Sequence, residues 1–321
     1  MNFNDLLGSM MRLAIPTVLV SLGGIFSYRI QLFPIALEGL MLGGCFAVIA
    51  GTAVCENCYL GILTAMIGVM IINLIYAALV FEMKANATVS GFALTIVVSG
   101  LSRFLLSALF DCNGKMVLSA ELALPKINIP FLDNIPVFGP LLNNHSFIVY
   151  LSLFLVFLVW FILYRTKFGL ELRAVGENEE AAKYTNIKTK KTKYISMAIC
   201  GLLCGLGGAQ LALASNLFTT GMSAGRGYTA IAAIVLSGGE PLLAFLVCLV
   251  YGFCNALVVV LSSKGYVVQF LSMLPYAIAI LIAVLPPAIR YIRDIAIAKQ
   301  FSRKVSRHHV DQKDNSGGYY S

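Results

Sequence analysis

Glu38 and Arg226 are the side chains here whose surroundings give them chemical meaning. Each stands in a stretch that is otherwise apolar and glycine-rich, Leu37-Glu38-Gly39 and Gly221-Met-Ser-Ala-Gly225-Arg226-Gly227. A charge at membrane depth costs about 2.5 kcal/mol or more even on the mildest insertion scale, so such residues face a cavity or a partner. The chemistry open to them is hydrogen bonding and charge compensation. They either line a passage for a polar solute, or bind each other and freed backbone groups purely to hold the fold. Asn73, Ser90, Gln210 and Asn255 add neutral hydrogen-bonding groups on apolar helices, where adhesion between helices is the ordinary role.

A second polar feature is the segment 165–193, a long charged stretch between two membrane-like blocks. Eight of its residues are basic (Arg165, Lys167, Arg173, Lys183, Lys188, Lys190, Lys191, Lys193), and a short loop so rich in Lys and Arg is held on the cytoplasmic side. Glu177-Asn178 can cap the run Glu179-Glu180-Ala181-Ala182-Lys183, which puts acids in the first turn where the helix dipole favours them. The segment reads either as a structured docking surface or as a solvated loop that merely obeys the charge rule.

Motifs for nucleotide chemistry do not occur. There is no Gly-x-x-x-x-Gly-Lys-Ser/Thr and no His-Glu-x-x-His, so ATP binding by a P-loop and hydrolysis on a His-Glu-x-x-His metal site are excluded. Gly221-Met-Ser-Ala-Gly225 has the Gly-x-Ser-x-Gly spacing, a short match that names no reaction by itself. Energy for pumping has to come from another subunit or an ion gradient. His308 and His309 lie in a polar tail, and His145 at a loop edge. Most of the eight cysteines sit singly in apolar runs, where Cys acts as a small hydrophobe. The close pair Cys55 and Cys58 lacks the second ligand pair of a zinc site. No metal or other cofactor is expected.

The elements that must position these residues are membrane helices. With 59% hydrophobic residues, 12% charged and a mean hydropathy of +0.86, the chain falls far below the roughly one-quarter charged content of soluble domains. Of 23 basic residues, eight lie in 165–193 and seven in 290–313. Membrane orientation therefore explains the net charge of +8, and no nucleic-acid partner is expected. Only Arg12 precedes the first apolar run and no small-residue cleavage site is evident, so the first segment reads as a retained span.

A span needs about 18 apolar residues, and such runs occur near 10–27, 35–54, 58–81, 88–110, 146–164, 194–214, 241–261 and 268–290. Segment 111–145 holds Pro125, Pro130, Pro136 and Pro140 with Asp111, Glu121 and Asp133, and reads as an exposed loop. Parity adds a crossing. Both basic segments belong inside, which demands an even number of crossings between them, and only three long runs lie there. Phe218–Gly238 supplies the fourth as a glycine-interrupted, broken helix, tolerated only where its backbone is buried in protein or lines a wet cavity. The expectation is an all-α polytopic bundle of about nine crossings, with the N-terminus outside, Arg29 and Lys84 inside, and 111–145 outside. Asn86-Ala-Thr88 fits a glycosylation pattern but falls inside and is discounted. Trp160 reads as an interface anchor and Arg103 as a snorkelling residue.

The two halves are alike. Leu22-Gly23-Gly24 matches Leu206-Gly207-Gly208, Glu38-Gly39 parallels Gly225-Arg226-Gly227, and Asn73 falls where Asn255 falls. Five crossings separate the two units, so the repeats are inverted, and paired broken helices in inverted repeats place a binding region near the midplane. The division expected is a first repeat 1–110, an extracellular loop 111–145, a linking helix 146–164, a cytoplasmic loop 165–193, a second repeat 194–290 and a basic cytoplasmic tail 291–321.

Phe168-Gly-Leu-Glu-Leu-Arg-Ala-Val-Gly-Glu-Asn-Glu-Glu-Ala-Ala182 is close to a known cytoplasmic signature. Leu37-Glu-Gly-Leu-Met-Leu-Gly43, Ala85-Asn-Ala-Thr-Val-Ser-Gly91, Ile135-Pro-Val-Phe-Gly-Pro140 and Gly221–Ala233 support it in the same order along the chain. These residues resemble the permease subunits of bacterial ABC importers for branched-chain amino acids and simple sugars, and among them the nucleoside-type permeases.

The resemblance implies a multi-pass protein of the bacterial plasma membrane that sits in membrane lipid beside a second permease subunit. A cytoplasmic ABC ATPase and an extracellular substrate-binding lipoprotein complete the complex. It makes 165–193 the coupling loop, with Arg173, Gly176, Glu177, Asn178, Ala181 and Ala182 against the ATPase. The substrate pathway it implies is Glu38, Gly39, Asn73, Asn86, Ser90, Arg226 and Asn255. Pro34 and Ala36 stand where Asn and Gly are more usual, and Asn255 where an acid is common, so the departures fall in the pathway itself. The function implied is translocation of nucleosides or related sugars with ATP hydrolysed by the partner, not an enzyme activity of this chain. The alternatives are a ribose-like sugar or a branched-chain amino acid as cargo, or an ion-coupled secondary transporter or membrane scaffold that uses no ATPase.

Overall fold

The apolar runs fold as helices because in lipid each backbone N–H and C=O must find its partner within the segment. A computed structural model describes residues 3–112, 114–119, 124–127 and 145–263, with Met273 and Ala277. The helices are α1 (Phe3–Arg29), α2 (Leu37–Cys55), α3 (Cys58–Phe81), α4 (Ala87–Phe110), α5 (Phe147–Arg165), α6 (Lys167–Glu177), α7 (Glu179–Tyr184), α8 (Thr189–Ser215), α9 (Arg226–Leu236) and α10 (Pro241–Ser263). Seven of them, all but α6, α7 and α9, are long and apolar enough to cross a membrane. These elements belong to one unit, Met1–Ser272. The expected span 268–290 and tail 291–321 lie outside the described residues apart from Met273 and Ala277, as does all of 128–144.

The described residues fold as the helical bundle expected, with one small addition. Four short strands form two antiparallel pairs: β1 (Lys115–Val117) pairs with β4 (Leu217–Thr219), and β2 (Lys126–Ile127) with β3 (His145–Ser146). Strands of two or three residues are too short to show a period of two, and β1 finds its partner a hundred residues away.

Local signals set the helix ends. Glu56 at φ +50° ends α2, and the Asn57 side chain accepts from Tyr59 N at 2.9 Å to start α3. Asn86 caps α4 by accepting from Thr88 N at 3.0 Å and Val89 N at 3.2 Å. Thr166 caps α6 through Gly169 N, and Asn178 caps α7 through Ala181 N at 3.0 Å.

Helices α1 and α8 form the buried centre, and glycines set how close they come. A Cβ on Gly23 of α1 would stand 2.9 Å from the Cys200 carbonyl oxygen of α8, and one on Gly207 of α8 would stand 3.0 Å from the Pro16 carbonyl oxygen of α1. Small residues let helix backbones approach in this way where lipid offers no hydrophobic drive. The packed pairs also exchange. Around this centre α3 lies on α8 as α10 lies on α1, and α2 lies on α8 as α9 lies on α1. Gly205 is one of two equally tight points of the α3–α8 contact, since a Cβ there would meet the Ala65 carbonyl oxygen at 2.6 Å. Gly205→Leu should therefore lose the folded state, overpacking by much more than the 1–3 kcal/mol typical of an added methylene or two. Size-exclusion chromatography in detergent checks it, with loss of the monodisperse peak expected.

The helix ends gather at two faces. Glu82, just past α3, pairs with Lys190 at the start of α8 at 3.0 Å, on the face that carries the basic loop. The β1–β4 pair, which follows α4 and α8, marks the opposite, far face.

Candidate functional site

Helix α9 begins in the middle of the path from the far face to the basic-loop face, and its first N–H groups have no helical partner. Gly221 and Gly225, at φ +80° and +81°, turn the chain into it, and no side chain of its own caps it. The cap comes from another helix. Glu38, in the first turn of α2 and only 7% exposed, accepts from Gly225 N at 3.0 Å through Oε1 and from Gly227 N at 2.7 Å through Oε2. A carboxylate at a helix N-terminus is doubly favoured, by charge-assisted hydrogen bonds and by the dipole. The approach needs Gly227, because a Cβ there would fall onto the Glu38 backbone. From the other side α4 holds α2, where a Cβ on Gly39 would stand 2.7 Å from Thr95 Cα.

Arg226 follows the cap. It lines a cavity of about 330 Å³ on the far-face side of the cap, bounded by α1, the end of α8, the loop before α9 and α10; Arg12 lines it as well.

On the basic-loop face, α5 ends in Tyr164 and Arg165 and turns at Thr166 into α6. Arg29, at the end of α1, donates through Nη2 to the Tyr164 hydroxyl at 2.9 Å and to the Gly239 carbonyl at 3.0 Å. The Tyr164 hydroxyl donates in turn to Glu240, whose carboxylate lies 3.6 Å from Arg29. Arg173 of α6 places its guanidinium over the Tyr164 ring, 5.1 Å from the centroid. Gly176 is pressed against the Arg29 carbonyl oxygen, where any Cβ would overlap it. One cluster thus joins α1, α5, α6 and the turn between α9 and α10. Beside it, Glu179 of α7 accepts from Lys193 of α8 and pairs with Lys183 at 3.2 Å. The Lys193 hydrogen bond leads in holding its carboxyl below the ordinary Glu value.

The family described as "Branched-chain amino acid transport system / permease component" matches residues 6–285. The chain belongs to this family. The permease is 34% identical over 287 residues to a guanosine ABC transporter permease protein of Bacillus subtilis (strain 168), covering 84% of this chain and 87% of that one. It is 31% identical over 293 residues to a nucleoside ABC transporter permease protein of Lactococcus lactis subsp. cremoris (strain MG1363), covering 87% and 91%. A ribose import permease protein of Escherichia coli (strain K12) is 34% identical over 141 residues, 41% of this chain and 42% of that one. No solved structure matches. With seven long apolar helices among the described residues, the permease is a multi-pass membrane protein.

Of the residues expected to form the pathway, the permease brings Glu38, Gly39 and Arg226 to one place. Asn73 is fully buried between α3 and α8, donating to the Met197 carbonyl at 2.6 Å. Asn86 is the cap of α4 at the basic-loop face, Ser90 one turn further along it, and Asn255 lies on α10. In the coupling set, Glu177 ends α6, Asn178 caps α7, and Ala181 is exposed while Gly176 and Ala182 are buried. Sequence reasoning missed Tyr164 and Glu240. The only signal for Glu240 is its place directly after Gly238-Gly239, at the end of the half-helix.

Proposed function

We propose that this chain is the membrane-spanning subunit of an ABC importer that carries nucleosides, driven by ATP hydrolysed on a partner. The observation that supports coupling is the interlock of α6 with the α9–α10 turn through Arg173, Tyr164, Arg29 and Glu240, in a chain with no nucleotide motif of its own. The basic loop is the cytoplasmic face of this reading, so α6 and α7 meet a cytoplasmic ATPase there, with Leu170 and Tyr184 as exposed apolar anchors. A second permease subunit shares the passage, and a substrate-binding lipoprotein delivers cargo to the far face. The nucleoside class is supported by two relatives that align along most of both chains; the ribose relative keeps a simple sugar as second reading.

Glu38 and Arg226 line the passage in this reading, with α9 as the element whose position changes. Replacing Arg173 and Glu177 together tests the coupling. The variant is expected to insert and assemble normally while losing substrate-stimulated ATP hydrolysis in the reconstituted complex. Hydrolysis at the parental rate would sink the coupling role.

A further inference from the structure

Glu38 has both carboxylate oxygens committed to backbone N–H groups, so it does not neutralise Arg226 through a direct contact. The two charges attract at longer range. Among the described residues, the half-buried Arg226 guanidinium makes no hydrogen bond and no ion pair. A cation at membrane depth whose donors have no partner marks a site for a ligand or a pathway. Here it borders the cavity of about 330 Å³, at the small end of the range for small-molecule sites. Leu13, Pro16, Leu211 and Val259 give that cavity apolar walls, and Arg12 stands with Arg226 on its polar lining. No acid lines it among the described residues. The Ser215 hydroxyl is turned to its own helix, donating to the Leu211 and Ala212 carbonyls.

A guanidinium carries five donors and no acceptor, so a ligand that fits must bring the acceptors and present flat apolar faces to the walls. The geometry points to a 6-oxopurine nucleoside, guanosine or inosine, held in this cavity with its O6 and N7 acceptors toward the Arg226 fork. The pairing is the one by which Arg reads guanine. Adenosine sets an amino donor where the fork needs an acceptor, and a site left with unpaired donors rejects such an analogue strongly. A nucleotide would also satisfy two arginines, but most of the wall beside them is apolar. This assignment rests on the nucleoside reading above and deepens it by naming the base and the residue that reads it.

The test measures uptake of guanosine and adenosine by the full importer in proteoliposomes, with the parental chain and with Arg226→Gln, whose amide pairs with adenine N6 and N7 instead of guanine O6 and N7. The expected result is a guanosine-to-adenosine ratio reduced about tenfold in the glutamine variant, within the discrimination one bidentate pair provides. Because the binding protein is the same in both, the change belongs to the permease. A glutamine variant with the parental ratio overturns the assignment and leaves nucleoside transport standing, whereas no nucleoside uptake by the parental importer overturns both. A second measurement needs no variant: guanosine should raise the thermal stability of the purified permease–ATPase complex more than 7-deazaguanosine, which lacks N7. Equal stabilisation by the two, or stronger stabilisation by guanosine monophosphate, overturns it as well.

Discussion

Glu38→Leu is expected to stop transport in a protein that still inserts and folds, while Glu38→Gln keeps a substantial part of it. Leucine fills a similar volume but accepts nothing, so the Gly225 and Gly227 N–H groups lose their only described partner at a buried helix start. A buried donor left without a partner costs about 1–3 kcal/mol, and two of them are ample to shift a helix of eleven residues from its place. The bundle itself survives, because the α1–α8 and α3–α8 contacts that hold it do not involve Glu38. Glutamine retains one acceptor oxygen and so retains one of the two bonds. Uptake into proteoliposomes, with thermal unfolding in detergent as the control for folding, separates these outcomes. Normal transport by the leucine variant would show that the cap has no part in the passage.

Gly176→Val should uncouple the importer more completely than any change to a charged residue of the loop. The Gly176 Cα lies so close to the Arg29 carbonyl oxygen that even one added carbon overlaps it, and that oxygen is backbone at the end of α1. Relief requires α6 to lift, which takes Arg173 off the Tyr164 ring and loosens the Arg29–Tyr164–Glu240 cluster. The loss expected is at least tenfold in transport per ATP hydrolysed, since displacement costs of a few kcal/mol act directly on the link to the α9–α10 turn. The ratio of uptake to hydrolysis checks it. A parental ratio would mean that α6 works without its seat on α1.

Much of this was legible in the sequence because a lipid surround narrows the choice of structure to helices. The runs at 58–81, 88–110 and 241–261 correspond closely to Cys58–Phe81, Ala87–Phe110 and Pro241–Ser263. Asn178 acts as the cap its neighbours suggested, and the buried charge of Glu38 finds its partners in the backbone of the other glycine-rich stretch. Other features left no local mark. The last five residues of the basic loop, Thr189–Lys193, already belong to α8, because its apolar face begins before the charges end. The β1–β4 pair depends on a partner distant in sequence. Tyr164 and Glu240 look like ordinary interface residues until Arg29, far away in the chain, is seen between them. The cavity beside Arg226 is a property of three helix ends and a loop, which no single stretch encodes.

The most direct measurement is guanosine uptake by proteoliposomes that contain this chain with its second permease subunit, the ATPase and the binding protein, with and without ATP. Accumulation that requires ATP and disappears when the ATPase is omitted is the result expected of an ABC nucleoside importer. Accumulation driven equally well by an ion gradient without ATP, or ATP-dependent uptake of ribose with none of guanosine, would contradict it.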